Sequence, residues 1–295
     1  MTDTLIHAKG LQKRFGTQPV LRDINFDIKR GEIVGLIGQN GAGKTTLLKS
    51  ILGLASCDGD LRVLGRNPVT DRVNLMKQVS FIADTATLPK WITVAGAIEF
   101  MHGVHPAFSR EKALAFLDKT EIPLGKRVGK LSKGMITKAH LSLVLAIDSA
   151  LLVLDEPTLG LDIIKRKDFY RQLLSDYFDH ERTILVTTHQ VEEIENLLTR
   201  AMFIQNGRIV LDDSLANMAD RYVELQCSAE AEIKAAAALK PIFSSPTISG
   251  KSFIFRDVER QLLEPLGKIK QVSLADLFVA TAQETIVQET IAQEN

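Results

Sequence analysis

The sequence has little of the material from which several classes of protein are built. Only two of its 295 residues are cysteine, Cys57 and Cys227, which is too few for a disulfide framework and typical of a reducing compartment. Its apolar runs reach about six residues, whereas a membrane-spanning helix needs roughly 20. No charge of one sign dominates, since 36 Lys and Arg residues balance 36 Asp and Glu residues. A strongly basic nucleic-acid-binding protein is therefore not expected.

The composition that remains is that of an ordinary folded protein. Hydrophobic residues make up 45% of the chain and charged residues 24%, which excludes a wholly disordered or fibrous protein. The N-terminus has no basic stretch followed by an apolar core, so we expect no signal peptide. At roughly 150 residues per domain, the length predicts about two domains.

The spacing of apolar residues predicts an α/β fold built around a parallel sheet. Segments 5–11 and 20–28 are typical of strands and predict an antiparallel portion near the N-terminus. Short apolar strands then alternate with helices, which is the pattern of a parallel sheet flanked by helices. We expect residues 91–121 to be mainly helical, with a break near Gly103–Pro106.

The character of the sequence changes beyond a predicted hairpin at Asn206-Gly207. The strand and helix candidates that follow predict a small α+β extension over residues 220–280. The last segment, 281–295, repeats QETI and has little to bury, so we expect a frayed helix or a disordered tail there. All the motifs described below lie before residue 190. Residues 220–295 are therefore predicted to be dispensable for nucleotide binding.

The most specific motif is GQNGAGKTT, which fits the pattern G-x-x-x-x-G-K-[ST] between a predicted strand and a predicted helix. Its glycines allow backbone N–H groups to point at phosphate oxygens, and the helix N-terminus adds partial positive charge. Lys44 is expected to reach the β- and γ-phosphates, and the Thr45 hydroxyl to ligate Mg²⁺. A glycine-rich turn without function would match this pattern in on the order of one chain in a hundred of this length. We therefore predict a phosphate loop formed by Gly38, Gln39, Asn40, Gly41, Ala42, Gly43, Lys44, Thr45 and Thr46.

A second motif is an acidic pair, Asp155-Glu156, directly after the apolar strand LLVL. The carboxyl ends of strands are where open α/β sheets bind ligands. Asp155 is expected to hold Mg²⁺ through water, and Glu156 to orient or deprotonate the attacking water, since phosphoryl transfer depends mainly on positioning and charge stabilisation. Alone, such a pair is more often a helix cap or a solvated turn. Its position after a phosphate loop favours the catalytic interpretation.

Together with four further features, these two motifs resemble the nucleotide-binding subunits of ATP-binding-cassette (ABC) transporters over about residues 5–215. LSKGM at 131–135 is similar to the family signature, usually LSGGQ. TLGLD, which ends at Asp162, is similar to the D-loop of the family, and His189 ends a predicted strand as the switch histidine does. Phe15 matches the aromatic residue on which adenine stacks.

This resemblance implies a P-loop NTPase fold of the ABC ATPase type over residues 1–219, with an antiparallel β subdomain and a helical subdomain at about 88–150. It also implies a homodimer or heterodimer that encloses ATP and Mg²⁺ between two chains. The implied catalytic residues are Lys44, Glu156 and His189. The remaining implied contacts are Phe15, residues 38–46 and Asp162 with the nucleotide, Ser132 and Gly134 with the γ-phosphate bound by the other chain, and Thr45, Asp155 and Asp84 with the metal.

The sequence departs from the family pattern at three positions. Lys133 and Met135 replace Gly and Gln of the signature. Asp84 follows the predicted strand Val79–Ala83, where the family usually has a glutamine that contacts Mg²⁺ and the attacking water. This combination is most similar to the exporter-type (ABC-2-like) subset, whose ATPase is a separate polypeptide. The simpler interpretation of Asp84 is a solvated loop residue.

Three other residues also have a simpler structural interpretation. Phe15 fits a core aromatic, and His189 fits a strand-end residue that caps the following turn. Trp91, the only tryptophan, lies where family members meet their membrane subunit, and a local packing role suits it equally well.

The implied function is an ATP-binding and ATP-hydrolysing subunit that powers a separate transmembrane permease from the cytoplasmic face of the cell membrane. Two alternatives stay open: a related ATPase that acts on the ribosome or DNA, and a regulatory module that senses ATP without hydrolysing it. A single cassette, no long charged coiled-coil insertion and zero net charge disfavour the first. Glu156 disfavours the second, and no nucleic-acid partner is expected.

Overall fold

The computed structural model of the chain describes residues 3–83, 88–159, 162–176, 178 and 181–294. The strands are β1 (Thr4–Phe15), β2 (Gln18–Lys29), β3 (Ile33–Ile37), β4 (Asp58–Val63), β5 (Val79–Ile82), β6 (Leu151–Asp155), β7 (Thr183–Thr188), β8 (Arg200–Gln205), β9 (Arg208–Ser214), β10 (Tyr222–Cys227), β11 (Phe243–Thr247), β12 (Gly250–Arg256) and β13 (Lys268–Gln271). The helices are α1 (Lys44–Ile51), α2 (Arg72–Leu75), α3 (Val94–Val104), α4 (Arg110–Asp118), α5 (Lys133–Leu145), α6 (Ile163–Asp176), α7 (Leu215–Arg221), α8 (Glu230–Ala238), α9 (Arg260–Leu263) and α10 (Leu274–Glu294).

A six-stranded sheet forms the centre of the molecule, in the order β5-β6-β7-β3-β8-β9. Neighbouring strands are parallel from β5 to β8, and β9 adds an antiparallel edge through the β8–β9 hairpin. Every residue of β3, β6 and β7 is buried, because both faces of the sheet are covered. The carboxyl ends of these three strands lie at one edge, with Asp155 level with Thr187 and Ile37 level with Thr188.

The N-terminal strands form a second sheet with the order β2-β1-β4, which is antiparallel throughout. It shares one hydrophobic core with α1 and one face of the central sheet, through residues such as Ile6, Ile24, Leu36 and Leu47. The N-terminal portion of the fold is therefore antiparallel, as the sequence predicts.

Helices α3, α4 and α5 pack around a separate core that includes Ile98, Phe108 and Leu143. The expected break near Gly103–Pro106 corresponds to the gap between α3 and α4. Each of the three helices begins after a Ser or Thr whose side chain accepts a hydrogen bond from a backbone N–H of the first turn, as N-caps do. These caps are Thr93, Ser109 and Ser132.

The C-terminal unit contains an antiparallel sheet in the order β11-β12-β10-β13. The chain passes through it as strand, helix, strand, strand, helix and strand, which is the ferredoxin-like connectivity. One face of this sheet buries Leu225, Phe253 and Phe255 against a core that also holds Ala236 of α8 and Leu263 of α9.

Helix α10 follows this unit and packs on the central sheet, on the face opposite the N-terminal sheet. Leu277 and Ala280 belong to the same core as Phe203 of β8, and the rings of Phe203 and Phe278 meet edge to face at 5.3 Å. The structure thus has a helix through Glu294 where the sequence suggests a frayed helix or a disordered tail. Its anchored first half supplies the helix nucleus, so later residues extend the helix without a new nucleation cost. Within the described ranges, no helix combines the length and the apolar character that crossing a bilayer requires.

Candidate nucleotide-binding site

The predicted phosphate loop connects β3 to α1. Gly43, the residue before α1, has a φ of 111°, a conformation that residues other than glycine rarely adopt. Gly38 lies so close to the β8–β9 hairpin that an added Cβ would lie 2.5 Å from the carbonyl oxygen of Ile204. The hairpin turn also contacts the loop directly, since the N–H of Gly207 donates to the carbonyl of Ala42 at 3.1 Å. The loop is therefore held on the sheet by its glycines and by the hairpin.

The side chain of Lys44 is buried under this loop and presents its ammonium group to the site. Its Nζ donates to the carbonyl of Gly38 at 2.6 Å and to that of Gln39 at 3.3 Å. The same Nζ lies 3.5 Å from Glu156 Oε1. One positive charge is thus fixed between the loop and the carboxylates that follow β6.

Asp155 ends β6 and is 4% exposed. Its Oδ1 accepts a hydrogen bond from the Thr187 hydroxyl at 2.7 Å and a longer one from the Thr45 hydroxyl at 3.4 Å. A hydroxyl and a carboxylate are the oxygen ligands that suit Mg²⁺, which is usually bound by one or two carboxylates together with water and substrate phosphates. Among the residues that the structure describes, no cluster of three or more His, Cys, Asp or Glu side chains has the arrangement of a metal site. As oxygen ligands, the Thr45 hydroxyl and the Asp155 carboxylate fit a Mg²⁺ ion that is held jointly with a nucleotide.

Glu156 directly follows β6 and His189 directly follows β7, so both lie at the same edge of the central sheet. Glu156 has a φ of 47°, which turns the chain out of the strand direction immediately after Asp155. Its Oε2 lies 2.7 Å from His189 Nδ1, while its Oε1 faces Lys44. The carboxylate is 15% exposed and the histidine side chain 39%, so both remain accessible from the cavity. A carboxylate, a histidine and a lysine thus lie within hydrogen-bonding or ion-pair distance of one another.

A cavity of about 530 Å³ connects these groups, a volume within the usual range for small-molecule sites. It is lined by Val20, Gln39, Asn40, Gly41, Gly43, Lys44, Thr45, Thr46, Glu156, Leu159 and His189. The structure therefore brings together most of the phosphate loop, Glu156 and His189, as the sequence motifs predict.

Phe15, Ser132, Gly134 and Asp162 are not among the residues that line this cavity. Phe15 is 58% exposed at the end of β1, with Lys13 Nζ 5.4 Å from its ring centre. Ser132 caps α5, and Gly134 lies in the first turn of that helix. Asp162 caps the start of α6 through a bond from the Lys165 N–H at 3.0 Å, and its hydrogen bond with the Lys165 ammonium lowers the pKa of this carboxyl. Asp84 lies outside the described residues.

The sequence motifs did not identify the role of Thr187, although it contacts both residues of the acidic pair, through the carboxylate of Asp155 and the backbone N–H of Glu156. Its hydroxyl binds Asp155 Oδ1, and both its hydroxyl and its carbonyl accept from the N–H of Glu156, at 3.1 and 3.2 Å. The only signal in the sequence is a threonine two residues before His189, which becomes informative once the register of β6 and β7 is known.

Comparison with known proteins agrees with this geometry. Residues 21–159 match the model of the family described as "ABC transporter". The Nod factor export ATP-binding protein I of Burkholderia lata is 36% identical over 214 residues, which cover 70% of this chain and 70% of that protein. The chain belongs to the ABC transporter family. The SkfA peptide export ATP-binding protein SkfE of Bacillus subtilis is 32% identical over 214 residues, covering 70% of this chain and 88% of the relative.

A solved structure of an ATP-binding subunit of an ABC transporter superposes on this ABC protein with a TM-score of 0.67 at 26% identity. The match covers 74% of this chain and 92% of the solved one. The fold is therefore that of the ABC ATPase, as predicted, and the chain is an ATPase subunit. Family membership favours a role in powering transport over one on the ribosome or DNA.

Proposed function

We propose that this ABC protein hydrolyses ATP in the phosphate-loop cavity, with Glu156 acting on the attacking water. The observation that supports this assignment best is the position of the Glu156 carboxylate, 3.5 Å from Lys44 Nζ and 2.7 Å from His189 Nδ1 at the cavity wall. A carboxylate so placed can accept a proton from water, while His189 holds its orientation. The same position argues against a module that only senses ATP.

The other residues of the cavity bind and orient the triphosphate. Loop N–H groups and the Lys44 ammonium lie where phosphate oxygens are bound in phosphate-loop proteins, at the N-terminus of α1. Thr45 and Asp155 would hold Mg²⁺, which neutralises phosphate charge when bound. Asp84 stays a predicted residue of the metal site.

A second chain would complete the site. Ser132, Gly134 and Asp162 lie outside the cavity of their own chain, so a nucleotide contact from them requires another subunit. In this proposal ATP joins two such chains because its γ-phosphate touches both. Hydrolysis removes that contact and lets the chains separate, which moves the bound permease.

The transported substrate would leave the cell, since two of the relatives are named as export ATP-binding proteins. The LSKGM signature is a second argument for the exporter-type subset. The permease would be a separate membrane protein, and this subunit would act on its cytoplasmic face. Coexpression with the membrane protein encoded by an adjacent gene tests the partnership: we expect one complex whose ATPase rate responds to the permease, whereas two independent proteins would contradict it.

The Glu156→Gln variant tests the catalytic assignment. The amide keeps the shape of the side chain but cannot take a proton, so we expect ATP binding to persist and turnover to fall by about 100-fold or more. The variant should accumulate as an ATP-dependent dimer in size-exclusion chromatography. Glu192→Gln, an exposed glutamate shortly after His189, is the matched control and should behave as wild type. Unchanged turnover in Glu156→Gln would assign water activation to another residue.

A further inference from the structure

Thr187 is a fully buried threonine between the two strands that carry the site. It lies in β7, level with Asp155 on β6 and with Leu36 on β3, the strand that enters the phosphate loop. A buried hydroxyl lowers stability unless it is hydrogen-bonded. The partners of its Oγ1 therefore indicate what this residue does.

Both hydrogen-bonding capacities of that hydroxyl are directed at the acidic pair. Oγ1 donates to Asp155 Oδ1 at 2.7 Å and accepts from the N–H of Glu156 at 3.1 Å. The carbonyl of Thr187 accepts the same N–H at 3.2 Å. Thr187 thus binds the carboxylate of Asp155 and the backbone N–H of Glu156.

These contacts restrict the rotation of the Asp155 carboxylate and the backbone conformation of Glu156. A donor on Oδ1 limits rotation of the Asp155 carboxylate, and the Thr45 hydroxyl lies 3.4 Å from the same oxygen. The bonds to the Glu156 N–H support a left-handed backbone conformation that is unfavourable for a residue with a side chain. Donors behind a metal-binding carboxylate commonly set its orientation and its affinity for metal.

We propose that Thr187 is a positioning residue for the metal–nucleotide complex: its hydroxyl orients Asp155 toward an ion shared with Thr45 and supports the turn that presents Glu156. This inference rests on the proposed role of Thr45 and Asp155 in holding Mg²⁺. A purely structural threonine would instead stabilise the sheet without changing the metal affinity.

The strand itself supplies a matched control. Thr183 is equally buried in β7, and its hydroxyl accepts from the Gly31 N–H at 3.0 Å and donates to the Lys29 carbonyl at 3.3 Å, remote from the carboxylates. Thr187→Val and Thr183→Val each remove one buried hydroxyl from the same strand. Thr187→Ser keeps the hydroxyl and removes only a methyl group.

The experiment measures Mn²⁺ binding to the full chain in the presence of ADP by electron paramagnetic resonance, with the Mg²⁺ dependence of hydrolysis as a second readout. We expect Thr187→Val to raise the Mn²⁺ dissociation constant about 10- to 100-fold. Thr187→Ser and Thr183→Val should stay close to wild type. If Thr187→Val does not fold, Thr187→Cys, whose thiol is a weak donor, should show the same rise relative to Thr187→Ser.

Three outcomes would overturn the inference: no rise in Thr187→Val, an equal rise in Thr183→Val, or failure of Thr187→Ser to retain the wild-type constant. The proposed metal site fails separately, if the wild-type protein shows no Mn²⁺ binding that depends on ADP.

Discussion

The central sheet and the C-terminal sheet differ in where their polar side chains lie. In the central sheet the strands run parallel, so their carboxyl ends meet at one edge. Glu156 and His189 line a cavity there together with Lys44, and Asp155 is hydrogen-bonded to Thr45 in the wall of that cavity. In the antiparallel C-terminal sheet, the side chain of Glu224 accepts from Ser252 at 2.6 Å and from Gln226 at 3.0 Å within the sheet itself. Strand direction therefore decides whether polar residues converge on a ligand site or satisfy one another.

Helix α10 follows the last strand of the C-terminal sheet and packs on the central sheet. Among the described residues, the lining of the phosphate-loop cavity includes no side chain beyond His189. A neighbouring space of about 260 Å³ is lined by Phe278 of α10 and by residues 39–42 of the phosphate loop. Gln205 Nε2 donates to the Ala282 carbonyl at 3.2 Å beside that space. Helix α10 thus packs on the central sheet, and none of the predicted catalytic residues, Lys44, Glu156 and His189, lies in the C-terminal unit.

Removal of α10 would test this division of roles and should have the largest effect. A chain ending at residue 272 exposes the core positions covered by Leu274, Leu277 and Ala280, and burial of a large apolar side chain contributes about 1.5–3 kcal/mol. We expect a loss of about 5 kcal/mol, comparable with the whole stability of a domain. Urea denaturation of this variant and of a chain ending at residue 284 provides the comparison.

The chain ending at residue 284 should unfold near the wild-type midpoint, because it keeps the anchored half of α10. This expectation revises the sequence-based view that residues 220–295 are dispensable for nucleotide binding, since a cut at 219 also removes the core contacts of α10. Equal stability of the two truncated chains would mean that α10 contributes little to the central domain.

Lys44→Ala should have a large effect on binding with little effect on the fold. The variant loses the charge beneath the phosphate loop, and a charge-assisted hydrogen bond contributes about 1.5–3 kcal/mol, so ATP affinity should fall by roughly 100-fold. Calorimetry measures the affinity. Lys49→Ala, an exposed lysine on the same helix, should bind ATP like wild type, and a similar loss in both variants would point to damage of α1 as a whole.

The smallest expected effect is a pH dependence from His140 on α5, which belongs to neither sheet. Burial lowers the pKa of this histidine, so the folded protein favours its neutral form. The unfolded chain binds a proton first as the pH falls below about 6.5, so stability contributed by neutral His140 is present above that pH and declines below it. In the His140→Gln variant, the urea midpoint should depend less on pH between pH 6.5 and 5 than it does in the wild type. An unchanged slope would assign the acid sensitivity to other groups.

Some elements of the fold were predictable and others were not, for identifiable reasons. Strands β10 and β12 have apolar residues at alternate positions or in a continuous run. The sequence indicates them at Tyr222–Gln226 and Ser252–Arg256, within two residues of the observed ends. Strand β11 contains Pro246, which argues against a strand, but β11 lies at the edge of its sheet, where a missing N–H is tolerated. Strand β4 begins DGD and is mostly exposed, so it lacks a hydrophobic signal.

The sequence by itself determined which residues are candidates for the chemistry of the site, because the phosphate loop and the acidic pair are local patterns. Glycines at set intervals, a lysine at the start of a helix and carboxylates after an apolar strand need only their neighbours in the chain. Only the tertiary structure decided the role of Thr187 and the docking of α10. Thr187 meets Asp155 across 32 residues of chain through the parallel register of β6 and β7, and α10 buries Leu277 in the same core as Phe203 of β8. Such contacts depend on which strands pair and which faces meet, and local spacing does not specify either.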